Sequence, residues 1–214
     1  DPTLLELIKN VISEIERAFI DSSGNVFHVY YDGEAKVAAM LDDYAWLIAA
    51  YLEVDSVLFD NYGLKAVNFC DKAIKLFWDP ADNMFFINQA NDLIMRNKAI
   101  YDTIFPCGAS MMFKNMLRMS IIYERMDFKD LALQAILSIK DNVIKYPLSF
   151  SNWADCIFSL TFSVNSIHIM GKDNHDSLMK LYAMPLFNTL IKSSIGERNQ
   201  FIVCKDFTCN LPVN

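Results

Sequence analysis

The sequence predicts a mainly α-helical protein in which about three helical hairpins form part of an α/α toroid. Six segments repeat apolar residues at helical spacing, and three of them are apolar around nearly the whole circumference. These three alternate with helices that carry one apolar stripe. Inner helices covered on two sides and outer helices covered on one side produce this alternation. A closed ring of twelve helices needs roughly twice this chain, so we expect a partial ring.

The helices are predicted from the period of their apolar residues. The helices with one stripe cover residues 4–19, 62–77 and 128–144, and those apolar all round cover residues 37–54, 108–124 and 149–162. Ser22-Ser23-Gly24-Asn25 ends the first helix, and an extended segment over 26–31 is closed by Asp32-Gly33.

Two parts of the chain depart from the helical pattern. Residues 78–105 form a long connection with a short hairpin predicted at 84–87, and such connections often carry binding groups. Near the end, strands predicted at 166–171 and 200–204 flank a helix predicted over 176–192. We therefore predict toroid hairpins over residues 1–165 and a small α/β appendage packed on them over residues 166–214.

Composition and charge limit the partners. With 53% apolar residues the chain can bury a core, and it has no uncharged apolar stretch long enough for a membrane span. A net charge of −7 disfavours nucleic acid. The five cysteines include no Cys-x-x-Cys, which favours a reduced, cytoplasmic setting. Because the chain opens with Asp1 instead of Met, we expect a fragment.

Several strings, in order along the chain, resemble one family. They are Tyr31-Asp32-Gly33, Leu41-Asp42-Asp43-Tyr44-Ala45, Leu76-Phe77-Trp78-Asp79, Asp92-Leu93-Ile94, Pro106 with Gly108 and Ser110, and Val203-Cys204-Lys205-Asp206-Phe207-Thr208-Cys209. Together they resemble the C-terminal portion of the thioredoxin-domain-containing YyaL proteins, relatives of the animal spermatogenesis-associated protein of thioredoxin type. The resemblance spans nearly the whole chain.

This resemblance implies a thioredoxin-like N-terminal domain followed by an (α/α)6 toroid similar to those of six-hairpin glycosidases and N-acylglucosamine 2-epimerases. The chain would then supply the later hairpins and the appendage, without the thioredoxin-like domain. It departs from the family at Cys107 and Ala109, where members usually place Ser and Asn in a Pro-Ser-Gly-Asn-Ser loop. Polar contacts made by that loop are therefore in question.

Three aspartates are the candidate catalytic residues. Asp42 and Asp43 open an all-round apolar helix, where helix capping alone explains one of them. The sharper hypothesis places one carboxylate at the mouth of the ring, as a general acid or as an acceptor for a sugar hydroxyl. Adjacent aspartates diverge by roughly 100° on a helix, so a flanking pair needs a second carboxylate from elsewhere. Asp102, at the end of the long connection, is the best candidate.

The candidate ligand-binding residues lie around these carboxylates. Tyr31, Lys36 and Tyr44 are near the first pair in sequence, and Arg96 and Lys98 precede Asp102. The two cations either bind an anionic ligand or neutralise neighbouring acids, which is the commoner role. Trp78 is the predicted sugar-stacking platform, whereas Trp46 and Trp153 are expected in the core.

The remaining polar residues suggest neither a metal nor a cofactor. His28, His168 and His175 have no metal-ligand spacing. Cys204 and Cys209 allow three interpretations: a redox pair, a disulfide across a turn, or two reduced cysteines packing the appendage on the toroid, which we favour.

The sequence therefore leaves two hypotheses for the function. The first is a toroid that binds or processes a carbohydrate-like small molecule. The alternative is a non-catalytic scaffold or interaction module for the missing thioredoxin-like domain. In either case a half ring leaves the flank of an inner helix uncovered, so we also expect self-association through that flank.

Overall fold

A computed structural model describes residues 2–58, 60–89, 95–171, 175–205 and 208–213. Within these ranges the chain is mainly helical, with a small sheet region near the C-terminus. The helices are α1 Pro2–Phe19, α2 Leu41–Leu58, α3 Tyr62–Phe77, α4 Gly108–Ile122, α5 Met126–Lys145, α6 Ser151–Thr161 and α7 His175–Tyr182. None of these helices combines the length and the apolar character that crossing a bilayer requires.

Helices α2, α4 and α6 form one row, in which α4 contacts both of its neighbours. Helix α3 packs on α2, and α5 packs on α4 and α6. Helix α1 joins this outer layer through Glu16, which accepts hydrogen bonds from Tyr51 Oη of α2 at 2.9 Å and Lys65 Nζ of α3 at 2.6 Å. We call α2, α4 and α6 the inner helices after the sequence prediction, and the toroid itself stays a prediction.

The burial of α4 and α5 follows their apolar patterns, whereas α6, predicted to be covered all round, buries only Asn152, Trp153 and Cys156. Helix α5 buries a single stripe at helical spacing, comprising Phe128, Ala132, Ala135, Ile136, Ile139 and Val143. Helix α4 buries residues around most of its circumference, because α2, α5 and α6 all contact it. Aromatic rings fill the space beside α4, where Phe113 contacts Phe85 at a centroid distance of 5.1 Å and Trp153 at 5.3 Å.

A β-hairpin precedes α2 and delays its start. Strands β1 Phe27–Tyr31 and β2 Glu34–Ala38 pair antiparallel, with Asp32 at φ 53° and Gly33 at φ 78° in the turn. Two positive φ values in an Asp-Gly pair are typical of the tight turn that suits the twist of a hairpin. The helix predicted from residue 37 therefore begins at Leu41, because residues 34–38 pair with β1.

The long connection runs past the N-terminal ends of the inner helices. It contains the predicted short hairpin, with β3 Trp78–Asp79 paired to β4 Met84–Phe85. Beyond it, Ile87 accepts a backbone hydrogen bond from Leu41 at the start of α2, and Asp102 donates one to Ser149 before α6, each at 2.8 Å. The strings Asp92-Leu93-Ile94 and Asp206-Phe207 lie outside the described residues.

The C-terminal sheet has the strand order β6-β5-β7-β8. Its strands are β5 Asn165–Met170, β6 Thr189–Ser194, β7 Gln200–Lys205 and β8 Thr208–Cys209. Strand β5 pairs parallel with β6 and antiparallel with β7. The helix predicted over 176–192 is wrong in its second half. Helix α7 ends at Tyr182, three residues before Pro185, and residues 189–194 form the parallel strand β6.

A buried carboxylate, Asp55 of α2, joins the helices to the sheet. Its side chain accepts hydrogen bonds from Gly63 N at 2.8 Å and from Tyr123 Oη at 2.5 Å, and its carbonyl accepts one from Ser193 Oγ at 2.7 Å. Asp55 therefore contacts the start of α3, the end of α4 and strand β6. The hydrogen bonds from Gly63 and Tyr123 compensate the desolvation of the carboxylate.

The substitution Gly63→Ala tests this junction. A Cβ at residue 63 would lie 1.5 Å from Tyr123 Oη and 2.8 Å from Asp55 Oδ2, so the hydrogen bonds cannot persist. We expect the free energy of unfolding to fall by about 2 kcal/mol or more in urea denaturation. Asn68→Ala, at an exposed position of the same helix, is the control and should change it by less than about 0.5 kcal/mol. A Gly63→Ala protein as stable as the control would contradict the packing described here.

Candidate functional site

The candidate site lies where the N-terminal ends of α2, α4 and α6 meet. Asp42, in the first turn of α2, approaches the first residue of α4, Gly108. Asp102 bridges the starts of α4 and α6. The three inner helices therefore present the positive ends of their dipoles at one edge of the row. All three aspartates predicted from sequence lie at this edge.

Asp102 is buried and holds this edge together. It is only 5% exposed. Its Oδ1 accepts from Cys107 N at 3.0 Å and Ser110 Oγ at 2.6 Å, and its Oδ2 accepts from Asn152 N at 2.9 Å. Asn152 Nδ2 donates in turn to Ser110 Oγ at 3.1 Å. Because protein donors occupy both carboxylate oxygens, the geometry favours a structural role for Asp102.

Asp43 caps its own helix. Its Oδ2 accepts from the backbone N–H of Met40 at 2.8 Å, which is the reciprocal half of a capping box. The same carboxylate faces His28 Nδ1 of β1 at 2.8 Å. Asp43 therefore orders the start of α2 and ties the β1–β2 hairpin to it, as the capping hypothesis expects for one aspartate of the pair.

Asp42 is the aspartate that stays open to solvent. Its carboxyl lies against Gly108, since a Cβ on that glycine would be 2.1 Å from Asp42 Oδ1. Partial burial of the carboxyl raises its pKa, against the opposing effect of the Gly108 backbone, and the charge of Asp43 raises it further. A carboxyl with a raised pKa and a solvent-facing side can donate a proton or a hydrogen bond.

Trp46 shares the exposed face of α2 with Asp42, one turn further along the helix. Its side chain is 43% exposed, whereas Trp153 is fully buried. Trp78, the platform predicted from sequence, packs edge-on against Phe85 and Phe113 at centroid distances of 5.1 and 6.1 Å. Trp46 was expected in the core, and its four-residue spacing from Asp42 is the sequence signal that would have identified it.

The residues predicted beside the first aspartate pair separate into two groups. Tyr31 is 70% exposed on the β1–β2 hairpin, and Lys36 Nζ lies 6.0 Å from the centroid of its ring. This hairpin contacts α2 through His28 and Asp43. Tyr44 is 1% exposed and packs against Phe69 and Phe77 of α3, so its ring belongs to the core.

Arg96 and Lys98 stabilise the long connection. Arg96 donates hydrogen bonds to the carbonyls of Asn88 and Leu76, and its guanidinium lies 3.9 Å from the ring centroid of Phe86. Lys98 Nζ pairs with Asp79 at 2.5 Å and with Asp82 at 2.6 Å. Lys98 therefore neutralises two acids of the β3–β4 hairpin, whereas Arg96 donates to carbonyl oxygens.

Further along the inner helices, a cavity of about 370 Å³ opens between α2, α4, α6 and the C-terminal region. Two ion pairs line it, Arg118 with Glu53 at 2.7 Å and Lys114 with Asp155 at 2.6 Å. Tyr182 of α7 also lines the cavity, and its hydroxyl forms a 2.7 Å hydrogen bond with the hydroxyl of Ser56. Sequence analysis did not identify this cavity, since its walls come from four separate segments.

Cys204 and Cys209 form a disulfide between β7 and β8, so the expectation of two reduced cysteines is wrong. Their Cα atoms lie 3.9 Å apart as direct partners in the strand register. The pairing of β7 with β8 brings the two sulfur atoms together, which the spacing of the cysteines in the sequence did not decide. The other cysteines, Cys70, Cys107 and Cys156, are free. Among the described residues, no group of three or more His, Cys, Asp or Glu side chains is arranged to hold a metal ion.

The raised pKa of Asp42 predicts a pH-dependent stability. Between the unfolded value of 3.8 and the higher folded value, the folded state binds more protons, so the free energy of unfolding falls as pH rises through this window. Asp42→Asn removes the titrating carboxyl and therefore this fall in the free energy of unfolding. We expect the variant to become progressively more stable than the wild type as pH rises from below 3.8 towards neutrality, measured by urea denaturation. Asp141→Asn, at an exposed position on α5, is the control. An equal pH dependence in wild type and Asp42→Asn would contradict the assignment.

The N-cap of α4 provides a second test. Cys107 Sγ accepts from Ser110 N at 3.4 Å, and burial raises the pKa of this thiol, which keeps it neutral. Sulfur is a weak acceptor, whereas a serine hydroxyl is among the preferred N-caps. Cys107→Ser should therefore raise the free energy of unfolding by about 0.5–1 kcal/mol, and Cys107→Ala should lower it. Thermal and urea unfolding of wild type, Cys107→Ser and Cys107→Ala measure the order of their stabilities. A serine variant less stable than wild type would contradict the capping role of residue 107.

Comparison with known proteins places the chain among distant relatives. No family model matches it. It is 22% identical over 170 residues to mouse spermatogenesis-associated protein 20, covering 76% of this chain and 22% of that protein. It is also 22% identical over 227 aligned positions to the uncharacterised protein B0495.5 of Caenorhabditis elegans, covering 91% of this chain and 31% of that protein. The chain thus spans about a quarter to a third of these relatives, and the first match agrees with the resemblance read from the sequence.

Proposed function

We propose that this chain forms part of an α/α toroid whose inner face binds a carbohydrate-like small molecule beside Asp42. In this proposal residues 1–165 supply the wall of helices, and residues 166–214 form an appendage that closes one end of it. The observation that carries the proposal is an open carboxyl with a raised pKa at the meeting point of helix N-termini.

Asp42 has the chemistry to recognise a hydroxylated ligand. In its neutral form the carboxyl donates one hydrogen bond and accepts others, as a sugar hydroxyl requires. The carboxyl packs closely against the backbone of Gly108, which limits the orientations open to it. A positioned carboxyl of raised pKa is also suited to general acid catalysis.

Trp46 gives the same face an apolar platform. It follows Asp42 by one helical turn and is 43% exposed, so a ring stacked on the indole would lie within reach of the carboxyl. Aromatic faces combine a large apolar area with few rotatable bonds, which suits stacking on a sugar. The exposed Tyr31 and Lys36 of the β1–β2 hairpin supply further polar groups at this end.

The geometry favours binding or single-acid chemistry over hydrolysis by a carboxylate pair. A glycosidase needs two accessible carboxyl groups about 5–10 Å apart. Among the described aspartates predicted for this role, Asp43 is engaged with Met40 and His28, and Asp102 is buried with three donors. Asp42 is the one whose carboxyl remains accessible.

The alternative function, a scaffold or interaction module for a thioredoxin-like domain, has one observation in its favour. Apolar side chains are exposed near the N-terminal end of α6, with Ile104 at 90%, Phe105 at 68% and Leu148 at 93%. A backbone hydrogen bond from Asp102 to Ser149 brings the segment of Ile104 and Phe105 close to that of Leu148. Adjacent apolar groups in water are typical of a surface that another protein covers.

Calorimetric titration distinguishes the two. We expect neutral hexoses, N-acetylhexosamines and their trisaccharides to include a ligand that binds the wild-type protein. Trp46→Ala should weaken its affinity by at least about tenfold, because it removes the platform, and Asp42→Asn should weaken it and flatten its pH dependence.

Tyr146→Ala, which removes an aromatic residue 48% exposed outside the inner face, is the matched control and should leave the affinity unchanged. An equal loss of sugar affinity in Trp46→Ala and Tyr146→Ala would show that the sugar does not stack on Trp46. Failure of all these sugars to bind, together with concentration-dependent self-association that Phe105→Ser abolishes in sedimentation, would support the interaction module instead.

A further inference from the structure

The disulfide lies in a second cavity, at the opposite end of α4 from Asp42. This cavity has a volume of about 640 Å³ and lies between the C-terminal sheet and the end of α4. Its lining includes both cysteines of the disulfide together with Glu124, His168 and Lys192. None of these residues belongs to the candidate ligand site.

Strand register explains why these groups share a cavity. Cys204 of β7 pairs with Ser166 of β5, and His168 follows Ser166 by two residues. Lys192 of β6 is the direct partner of His168. Because side chains alternate between the faces of a sheet, Cys204, His168 and Lys192 all lie on one face.

The two sulfur atoms differ in accessibility. Cys209, on β8, is exposed, whereas Cys204 is half-buried, and the free cysteines Cys70 and Cys156 are buried. Exposed disulfides are the ones that thiols attack readily. Within the described chain, Cys209 is therefore the sulfur best placed to meet an incoming thiolate.

Two basic side chains, Lys192 and His168, share the cavity and the sheet face with Cys204. Lys192 Nζ lies 4.2 Å from the ring centroid of Tyr123, and His168 Nε2 lies 2.9 Å from Ser194 Oγ. Burial lowers the pKa of both Lys192 and His168, and the carboxylates of Asp55 and, for Lys192, Glu124 oppose that effect. A neighbouring cation stabilises a thiolate, and a more stable thiolate is a better leaving group.

We propose that Cys204 and Cys209 form a thiol–disulfide exchange site for a low-molecular-mass monothiol. The thiolate of the first monothiol attacks Cys209 Sγ, the Cys204–Cys209 bond breaks, and the electron pair leaves on Cys204 Sγ, in the cavity that Lys192 also lines. A second monothiolate attacks the sulfur that the first one contributed and releases Cys209. The protein disulfide is reduced to two thiols, two monothiols are oxidised to one disulfide, and their two protons end on Cys204 and Cys209.

Glutathione is the probe for this site. Wild-type protein is equilibrated in mixtures of reduced and oxidised glutathione, quenched in acid, labelled with a maleimide and mapped by mass spectrometry. We expect Cys204 and Cys209 to change together between disulfide and dithiol as the glutathione ratio changes, with Cys70 and Cys156 unaffected. A pair that never forms a disulfide in oxidised glutathione, or never loses it in reduced glutathione, overturns the proposal without the use of any variant.

Variants test the order of attack and the role of Lys192. In oxidised glutathione, Cys204→Ser should trap a mixed disulfide on Cys209, and Cys209→Ser should trap several-fold less on Cys204. Lys192→Met should slow reduction of the disulfide about three- to tenfold, whereas Lys145→Met, on the exposed end of α5, should not change the rate. Equal trapping in both cysteine variants, or equal rates in both lysine variants, contradicts the mechanism. Sugar binding at Asp42 is scored separately, so either proposal can fail alone.

Discussion

Two buried aspartates from other parts of the chain hold the central helix α4, one at each end. Asp102 accepts from Cys107, Ser110 and Asn152 where α4 begins, and Asp55 accepts from Tyr123 where it ends. Hydrogen bonds to a charged acceptor contribute about 1.5–3 kcal/mol each, and a buried carboxylate without them would be strongly destabilising. The positions of α2, α6 and the C-terminal sheet all depend on these contacts.

This arrangement separates the aspartates by role. Asp102 has no accessible oxygen to offer a ligand, because its partners are the backbone and side chains of two helices that it joins. Asp43 caps α2 and holds the β-hairpin through His28. Asp42 packs against Gly108, lies near the charges of Asp43 and His28, and stays exposed to solvent on its other side. Its raised pKa results from crowding by these structural elements, so the same packing that builds the fold prepares the candidate site.

The two proposed sites lie at opposite ends of the inner helices and use different chemistry. At the N-terminal end, aligned helix dipoles and Trp46 surround a carboxyl. At the other end, the parallel pairing of β5 with β6 places Lys192 beside His168, in the cavity that the disulfide also lines. Asp55 links the helices to that sheet through its carbonyl, which accepts a hydrogen bond from Ser193. The chain therefore combines packed helices with a small sheet whose edge strand β8 carries the exposed Cys209.

Local periodicity located the first six helices from the sequence alone, and α3 spans the predicted residues 62–77, because an amphipathic stripe depends only on nearby residues. The mainly helical class followed from the same pattern, whereas the toroid stays a prediction. Contacts between distant segments decided the rest. Residues 189–194 became a strand because β5 offers them a pairing partner. The exposure of Asp42 depends on where other segments place their hydrogen-bond donors. The pairing of Cys204 with Cys209 depends on how β7 and β8 align. Residue spacing in the sequence does not specify either contact.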